Sequence, residues 1–589
     1  MNKDTFKNLC LLILYFLFLI VMHVNIRNLG GSVVNPVAYF VWMAVSAVVL
    51  LSLMQAFFQD GCIIAAPKIT AYILLFAALL ILPIIFNPIT DSHSFIFKNM
   101  GLAAGLIFFI SLHQFKFSDE QKEKLLYVIF VSGFIEACIG LAQYLAPEAR
   151  IPMLAFSASG VIFGNFQHQN VLASFLATSI VISLYALTGP LFRGAGRWAK
   201  AGFFIAVAVI SFVLFITGSR AGLIGSLLGC ATLFITRYRL FKAAPLYLLI
   251  WALAVTAGLG LNLSSERYLF QKERGVFSAA EKLQTASESF MKEKGGDPRM
   301  LMYRASLEMI KDRPIIGHGP GGFKSKYVFF RRQLAEKMDS RPSLNTFTYY
   351  PHSETLFVLI ESGLAGGLGL IILSAAFLIY IFRLGRERGG LYASLLLPLT
   401  FHSQVEFPFY QSAVHWVLFL FLCFLVSSHF VREINFKIEH RLRIALLTAS
   451  VCVFILTNLF LVRTLSANIK LTEYYRLLTS EGVSRMKLAE PALNNLYLGQ
   501  SAQRMLMDFG LGMALNKDNK KFLNEFVGWA EEERTSFPHF MLYEGEARAL
   551  FALEKRHEAF KLLDEGLSLY PDNEALLNAK KELALKSGL

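Results

Sequence analysis

His352 and Glu354, in the run Pro351-His352-Ser353-Glu354-Thr355-Leu356, stand where a long polar insert meets an apolar segment running from about Thr355 to Phe382. An imidazole and a carboxylate at a membrane edge are costly to hold, and ionisable groups near bilayer depth usually line a polar cavity. Arg220 is a second candidate: it closes the three-residue connection Gly218-Ser219-Arg220 between two apolar runs. Arginine at depth costs about 2.5–3.5 kcal/mol on insertion scales, so this one calls for a paired or anionic partner. Arg299 and Arg304 lie five residues apart on a predicted helix that ends at Asp312-Arg313-Pro314. At about 100° per residue they are offset by roughly 140°, so one of the two faces a common site.

The elements that must position these groups are membrane helices. Of 589 residues 55% are hydrophobic, 54 are Phe and only 17% are charged, which excludes a soluble globular chain. Runs long enough for a hydrocarbon core of about 30 Å lie at 9–26, 37–58, 69–86, 95–112, 125–145, 171–188, 202–217, 221–236, 245–262, 355–382, 391–407, 412–429 and 443–461. The prediction is an all-α polytopic membrane protein of about 13 spans. No small-residue cleavage site follows the first run, so it reads as a retained helix.

Short connections rich in Lys and Arg favour the cytoplasm. With Lys3 and Lys7 inside, the inner connections hold Lys68, Lys116, Lys122, Arg193, Arg237, Arg383, Arg388 and Arg432, while the alternate ones are nearly free of basic residues. The outer connections then carry His168, Arg220, His352, His402 and Glu406, and one extracytoplasmic site can gather them. Any one of them alone, Arg220 excepted, reads first as an ordinary polar loop residue. The insert of 263–352 has 16 Lys and Arg against 10 Asp and Glu, much of it surface polarity on helices such as Ala279 to Lys294.

Several chemistries are disfavoured. All six cysteines fall in or at the inner ends of spans, so no disulfide framework is implied. No cluster has metal-ligand spacing, and Gly317-His318-Gly319-Pro320-Gly321-Gly322 lacks the Gly-Lys-Ser/Thr ending of a nucleotide loop. No metal, cofactor or nucleic-acid partner is expected. What remains is guanidinium donors, which suit phosphate oxygens, beside a titratable His at a membrane edge. That combination points to a lipid-linked phosphate or pyrophosphate.

The order of motifs resembles a known superfamily. Ser219-Arg220-Ala221-Gly222, then Arg299-x-x-x-Tyr303 leading to Asp312-Arg-Pro314-x-x-Gly317-His-Gly319-x-Gly321, then His352-Ser-Glu354-x-Leu356 with Glu361-Ser-Gly363-Leu-x-Gly366, is similar to the O-antigen ligases and polymerases. Phe163-Gly164-Asn165-Phe166-Gln167-His168-Gln169-Asn170 and His402-Ser-Gln-Val405-Glu406-Phe407-Pro408-Phe-Tyr410 resemble the markers of PglL-type bacterial protein O-oligosaccharyltransferases. The likeness spans roughly 160 to 430. It implies a GT-C-like membrane glycosyltransferase in the bacterial inner membrane, with its active site facing the periplasm. Such an enzyme takes an oligosaccharide from undecaprenyl pyrophosphate and places it on Ser or Thr hydroxyls of exported, pilin-like proteins. An O-antigen ligase acting on lipid A-core, or a polymerase, would use the same donor.

On that resemblance His352 takes the acceptor's proton or bonds the donor phosphate, and Glu354 orients it or contacts sugar. Arg220 and Arg299 or Arg304 hold the pyrophosphate. Asn165, His168, Asn170, His402, Glu406 and Tyr410 are further candidates. Three positions depart from the pattern: His168 stands where PglL-type relatives usually carry Gln, Phe407 where many carry Tyr, and Ser353 where ligases often carry Asn. A transporter ranks low, since transporters bind near the midplane in broken helices and these ionisable residues crowd one edge.

The expected division is a transmembrane domain over 1–462, including the 263–352 periplasmic loop, and a helical periplasmic domain over 463–589. In the latter Phe540, Ala547, Ala559 and Pro571 match the tetratricopeptide register. It would bind the acceptor protein or cap the membrane domain.

Overall fold

The computed structural model describes residues 3–29, 35–57, 62–146, 161–263, 298–338, 344, 347–481 and 485–587. The expected helix Ala279 to Lys294 lies outside them. The protein is an all-α membrane protein: each apolar run named above is a helix, from Lys3–Leu19 to His440–Glu481. Among the described residues nine helices are long and apolar enough to cross a membrane. They include Arg197–Ile216 and Arg220–Lys242, the two shortest of the sequence runs. Thr70–Ile85, Pro245–Leu261 and Ala413–Ser427 are apolar but shorter. Gly385–His402 begins with Arg386, Glu387 and Arg388, which dilute its hydropathy.

The chain divides into two compact units. The first comprises Met1–Ile73, Gly101–Thr285 and Leu373–Ser484. Its central helices meet through small residues, the usual device where lipid removes the hydrophobic drive for helix pairing. A Cβ at Gly222 would lie 2.6 Å from that of Ala173, and one at Gly229 would lie 2.9 Å from the Ser394 carbonyl. Helix Arg220–Lys242 is thereby held against Gln169–Ala186 and Gly385–His402. The 42-residue helix His440–Glu481, about 63 Å long at 1.5 Å per residue, packs on Val37–Phe57. There Asn468 donates to the Tyr39 hydroxyl at 3.1 Å.

One element was not foreseen. Cys62–Pro67 and Val431–Phe436 form a two-stranded antiparallel sheet with Cys62 opposite Phe436, so these two connections share a side. At the same end Lys116 pairs with Glu433, Lys122 donates to Ser428 at 3.0 Å and Arg388 meets Asp119 at 3.1 Å. The basic connections that the charge pattern grouped together are thus neighbours.

The second unit comprises Leu74–Met100, Ala286–Ile372 and Arg485–Leu589. Insert helix Gly322–Glu336 packs on Arg556–Leu569 of the tail. Arg331, 2% exposed, donates to the Leu569 carbonyl at 3.3 Å and lies 5.2 Å from the Tyr570 ring centroid. Ala547 and Ala559 are fully buried where Phe540–Ala552 meets Arg556–Leu569. A side chain larger than methyl would separate those helices.

Candidate active site

In the second unit, helix Glu354–Arg383 begins with Ser353 as its cap: the Ser353 hydroxyl accepts from the Leu356 N–H at 3.4 Å. Asn and Ser are equally good helix caps. His352, just before the cap, has φ 48°. That left-handed region costs a non-glycine residue about 1 kcal/mol or more, and such strain persists where surroundings enforce it. The Tyr303 hydroxyl donates to the His352 carbonyl at a long 3.5 Å, tying His352 to the helix Pro298–Asp312 that carries both arginines. Arg299 is half-buried and Arg304 exposed, consistent with their angular offset. Glu354 lies in the first helical turn, where the helix dipole favours a carboxylate.

The same helix is broken. Gly363 has φ 58° and ψ −156°, a region essentially reserved for glycine. A break at this point frees backbone groups that must find partners, and residues 314–319 supply them. His318 N–H donates to the Ile360 carbonyl (2.8 Å) and Gly319 N–H to that of Glu361 (3.0 Å). In return Leu364 N–H donates to the Pro314 carbonyl (2.7 Å) and Ala365 N–H to that of Ile315 (3.2 Å). The Pro314-to-Gly321 motif and the Glu361-Ser-Gly363 motif are therefore two halves of one joint.

Side chains lock this joint. Glu361 Oε1 accepts from the Gly321 N–H at 2.9 Å, and Lys98 approaches Oε2 at 3.4 Å. His318 Nε2 bonds the Met309 carbonyl at 2.9 Å. Burial pushes the His318 imidazole below its usual range, outweighing that bond's opposite pull, and so favours the neutral ring. Asp91 and Lys324 pair at 2.6 Å with their side chains 3% and 10% exposed. Burial raises the Asp91 carboxyl, but Lys324 and two bonds from Ser94 outweigh it and leave it below the ordinary carboxylate range.

The first unit holds the other candidates. Asn170 donates to Glu406 Oε1 at 3.3 Å, so the structure brings together the two motifs read as PglL-type markers. Glu406 is 3% exposed and its N–H donates to the His402 carbonyl at 2.9 Å. His402 is fully buried, with Nδ1 2.8 Å from the Ser174 hydroxyl, which in turn lies 3.1 Å from His415 Nε2. Asn165 is 2% exposed and its amide donates to the His23 carbonyl, which makes it a strut for its loop. His168 precedes the helix Gln169–Ala186 without capping it by its side chain. Tyr410 is half-buried on the short helix Pro408–Gln411. Arg220 opens its helix behind the Ser219 cap, whose hydroxyl accepts from Gly222 at 3.3 Å. Arg220, Asn165, His168, Asn170, His402, Glu406 and Tyr410 thus belong to the first unit, and Arg299, Arg304, His352 and Glu354 to the second.

Sequence reading missed Ser174, His415, Asp91 and Lys324. A Ser in an apolar helix, or a Lys in a basic insert, carries no signal until its partner is known. Among the described residues no three His, Cys, Asp or Glu side chains group as a metal cage.

Comparison with known proteins adds three family matches. Residues 205–371 match the O-antigen ligase model, which covers Arg220, Arg299, Arg304, His352 and the joint. Residues 391–584 match the model of the C-terminal region of virulence factor membrane-bound polymerases. Residues 162–187 match a protein glycosylation ligase model, over the loop of Asn165, His168 and Asn170. An uncharacterized protein of Haemophilus influenzae is 24% identical over 278 residues, 47% of this chain. The aligned part covers 64% of that relative's length.

Proposed function

We propose that this chain, a multi-pass glycosyl-transferring enzyme of the O-antigen ligase and PglL superfamily, moves an oligosaccharide from undecaprenyl pyrophosphate to Ser or Thr hydroxyls of periplasmic, pilin-like proteins. It does so at the periplasmic face of the inner membrane and without a metal. Pyrophosphate is already a good leaving group. The enzyme's task is to neutralise the charge that grows on it and to take a proton from the acceptor hydroxyl. Arg220 and one of Arg299 and Arg304 supply the cations. His352, with Glu354, serves the acceptor proton. Direct displacement of this kind inverts the anomeric centre.

The observation that carries the reading is His352 itself, held at φ 48° at the mouth of a broken apolar helix. Backbone strain of this kind costs stability, and it clusters at catalytic positions. The protein glycosylation ligase match over 162–187 favours a protein acceptor. The polymerase match over 391–584 supports a second reading, in which the acceptor is another lipid-linked glycan. The test is to express the chain with a lipid-linked glycan pathway and a candidate pilin, then weigh the products. A mass shift on the pilin is expected; glycan appearing only on lipid A-core, or only as a longer lipid-linked chain, overturns the protein acceptor.

A further inference from the structure

The loop Phe163 to His168 is held by side chains of helix Asp119–Leu145. Gln143 Oε1 accepts from the N–H groups of Phe163 (3.1 Å) and Gly164 (2.9 Å), and its amide donates to the Gly164 carbonyl at 2.9 Å. About two turns of the helix away, Glu136 is fully buried. Its Oε2 accepts from the Asn165 N–H at 2.9 Å and its Oε1 contacts His23 Nδ1 at 2.7 Å. A Cβ at Gly164 would collide with this carboxylate, so the loop backbone lies directly on it.

In a neutral ring, contact with a carboxylate puts the proton on His23 Nδ1 and leaves Nε2 as the acceptor. The His23 side chain is 9% exposed, and Nε2 is buried with no hydrogen-bond partner among the described residues. A buried nitrogen left in that condition is costly. Nearby groups do not relieve it: the Asn165 amide is committed to the His23 carbonyl, and Gln167 donates to Asn25 at 3.3 Å. The negative charge of Glu136 across the ring disfavours an anion at Nε2 and strengthens it as an acceptor from O–H.

We infer that His23, oriented by Glu136, contacts substrate: Nε2 accepts a hydrogen bond from a substrate hydroxyl. The inference rests on the proposed glycosyl transfer, in which hydroxyls come from two sources, the sugars of the donor and the Ser or Thr of the acceptor.

His23→Asn keeps an amide donor at the Nδ1 position for Glu136 and deletes Nε2, whereas His23→Gln reaches the Nε2 position and gives up the Glu136 contact. With an undecaprenyl pyrophosphate-linked oligosaccharide and a pilin acceptor, His23→Asn should raise one KM roughly three- to tenfold, the size of one neutral hydrogen bond. A rise for the donor assigns the hydroxyl to sugar and a rise for the acceptor assigns it to Ser or Thr; His23→Gln should recover most of it. Wild-type values of both constants in a folded His23→Asn protein overturn the inference and make the dyad a strut. Should His23→Asn fail to fold, His23→Gln decides: KM values near wild type support the contact, and a full tenfold rise ends it. If the unsubstituted protein transfers nothing to any acceptor, the proposed function fails instead.

Discussion

Glu361 accepts a hydrogen bond from the Gly321 N–H at 2.9 Å, one turn or less from the Gly363 break, so a single carboxylate fastens the glycine-rich turn to the opened helix. Gly321 itself sits at φ 80°, and the Thr90 hydroxyl adds a bond to the Pro320 carbonyl at 3.0 Å. Glu361→Ala should lower stability by about 1.5–3 kcal/mol, the range for a bond to a charged group. Glu361→Gln, which keeps the acceptor oxygen, should lose less. Thermal unfolding of the detergent-purified protein reads both, and equal losses would show that charge toward Lys98, not the bond to Gly321, holds the joint.

His352 offers a cleaner separation of stability from activity. Glycine tolerates φ 48° without penalty, so His352→Gly should unfold no earlier than the unsubstituted protein. Its transfer rate should nevertheless fall about 10²–10⁴-fold, the usual loss on removing a general base. Transfer near the original rate in that variant would remove His352 from the chemistry.

What was legible beforehand follows from range. Helices declare themselves through local apolar length, so each run from 9–26 to 443–461 was readable, as was the end of Pro298–Asp312 ahead of Pro314. Ser219 and the small residues after it could be read as a motif, but not as the surface that lets Ala173 and Ser394 approach. The sheet between Cys62–Pro67 and Val431–Phe436 joins segments separated by most of the chain, and nothing local marks six residues in a short connection as a strand. His23 and Glu136 were equally silent. Each is a lone polar residue in an apolar run, and only the fold brings them to 2.7 Å.

Asp91 and Lys324 form a buried pair at 2.6 Å that joins the turn before helix Ser92–Gln114 to helix Gly322–Glu336. Removing one partner leaves the other charge buried, a loss of about 3–5 kcal/mol, whereas removing both is often close to neutral. Lys324→Met and Asp91→Asn should therefore each destabilise strongly, and the double variant should be more stable than either. Additive losses in a double-mutant cycle of melting temperatures would deny the coupling.

His539 gives the tail a pH dependence whose sign can be worked out. Its Nδ1 accepts from the Met541 N–H at 3.3 Å, capping helix Phe540–Ala552, and its ring stacks on Phe537 at 5.1 Å. Burial, with Arg504 nearby, pushes the imidazole down from 6.5 to about 4. Between those values the unfolded chain binds a proton that the folded one refuses, so stability rises with pH across the window. The contribution is complete above about pH 6.5 and is lost as pH falls toward 4. His539→Asn retains a capping acceptor but cannot titrate, so the difference in amide-exchange protection of Phe540–Ala552 between the two proteins should grow in its favour on acidification. A difference that stays constant from pH 7 to about 4.5 would mean that the folded imidazole titrates like a free one.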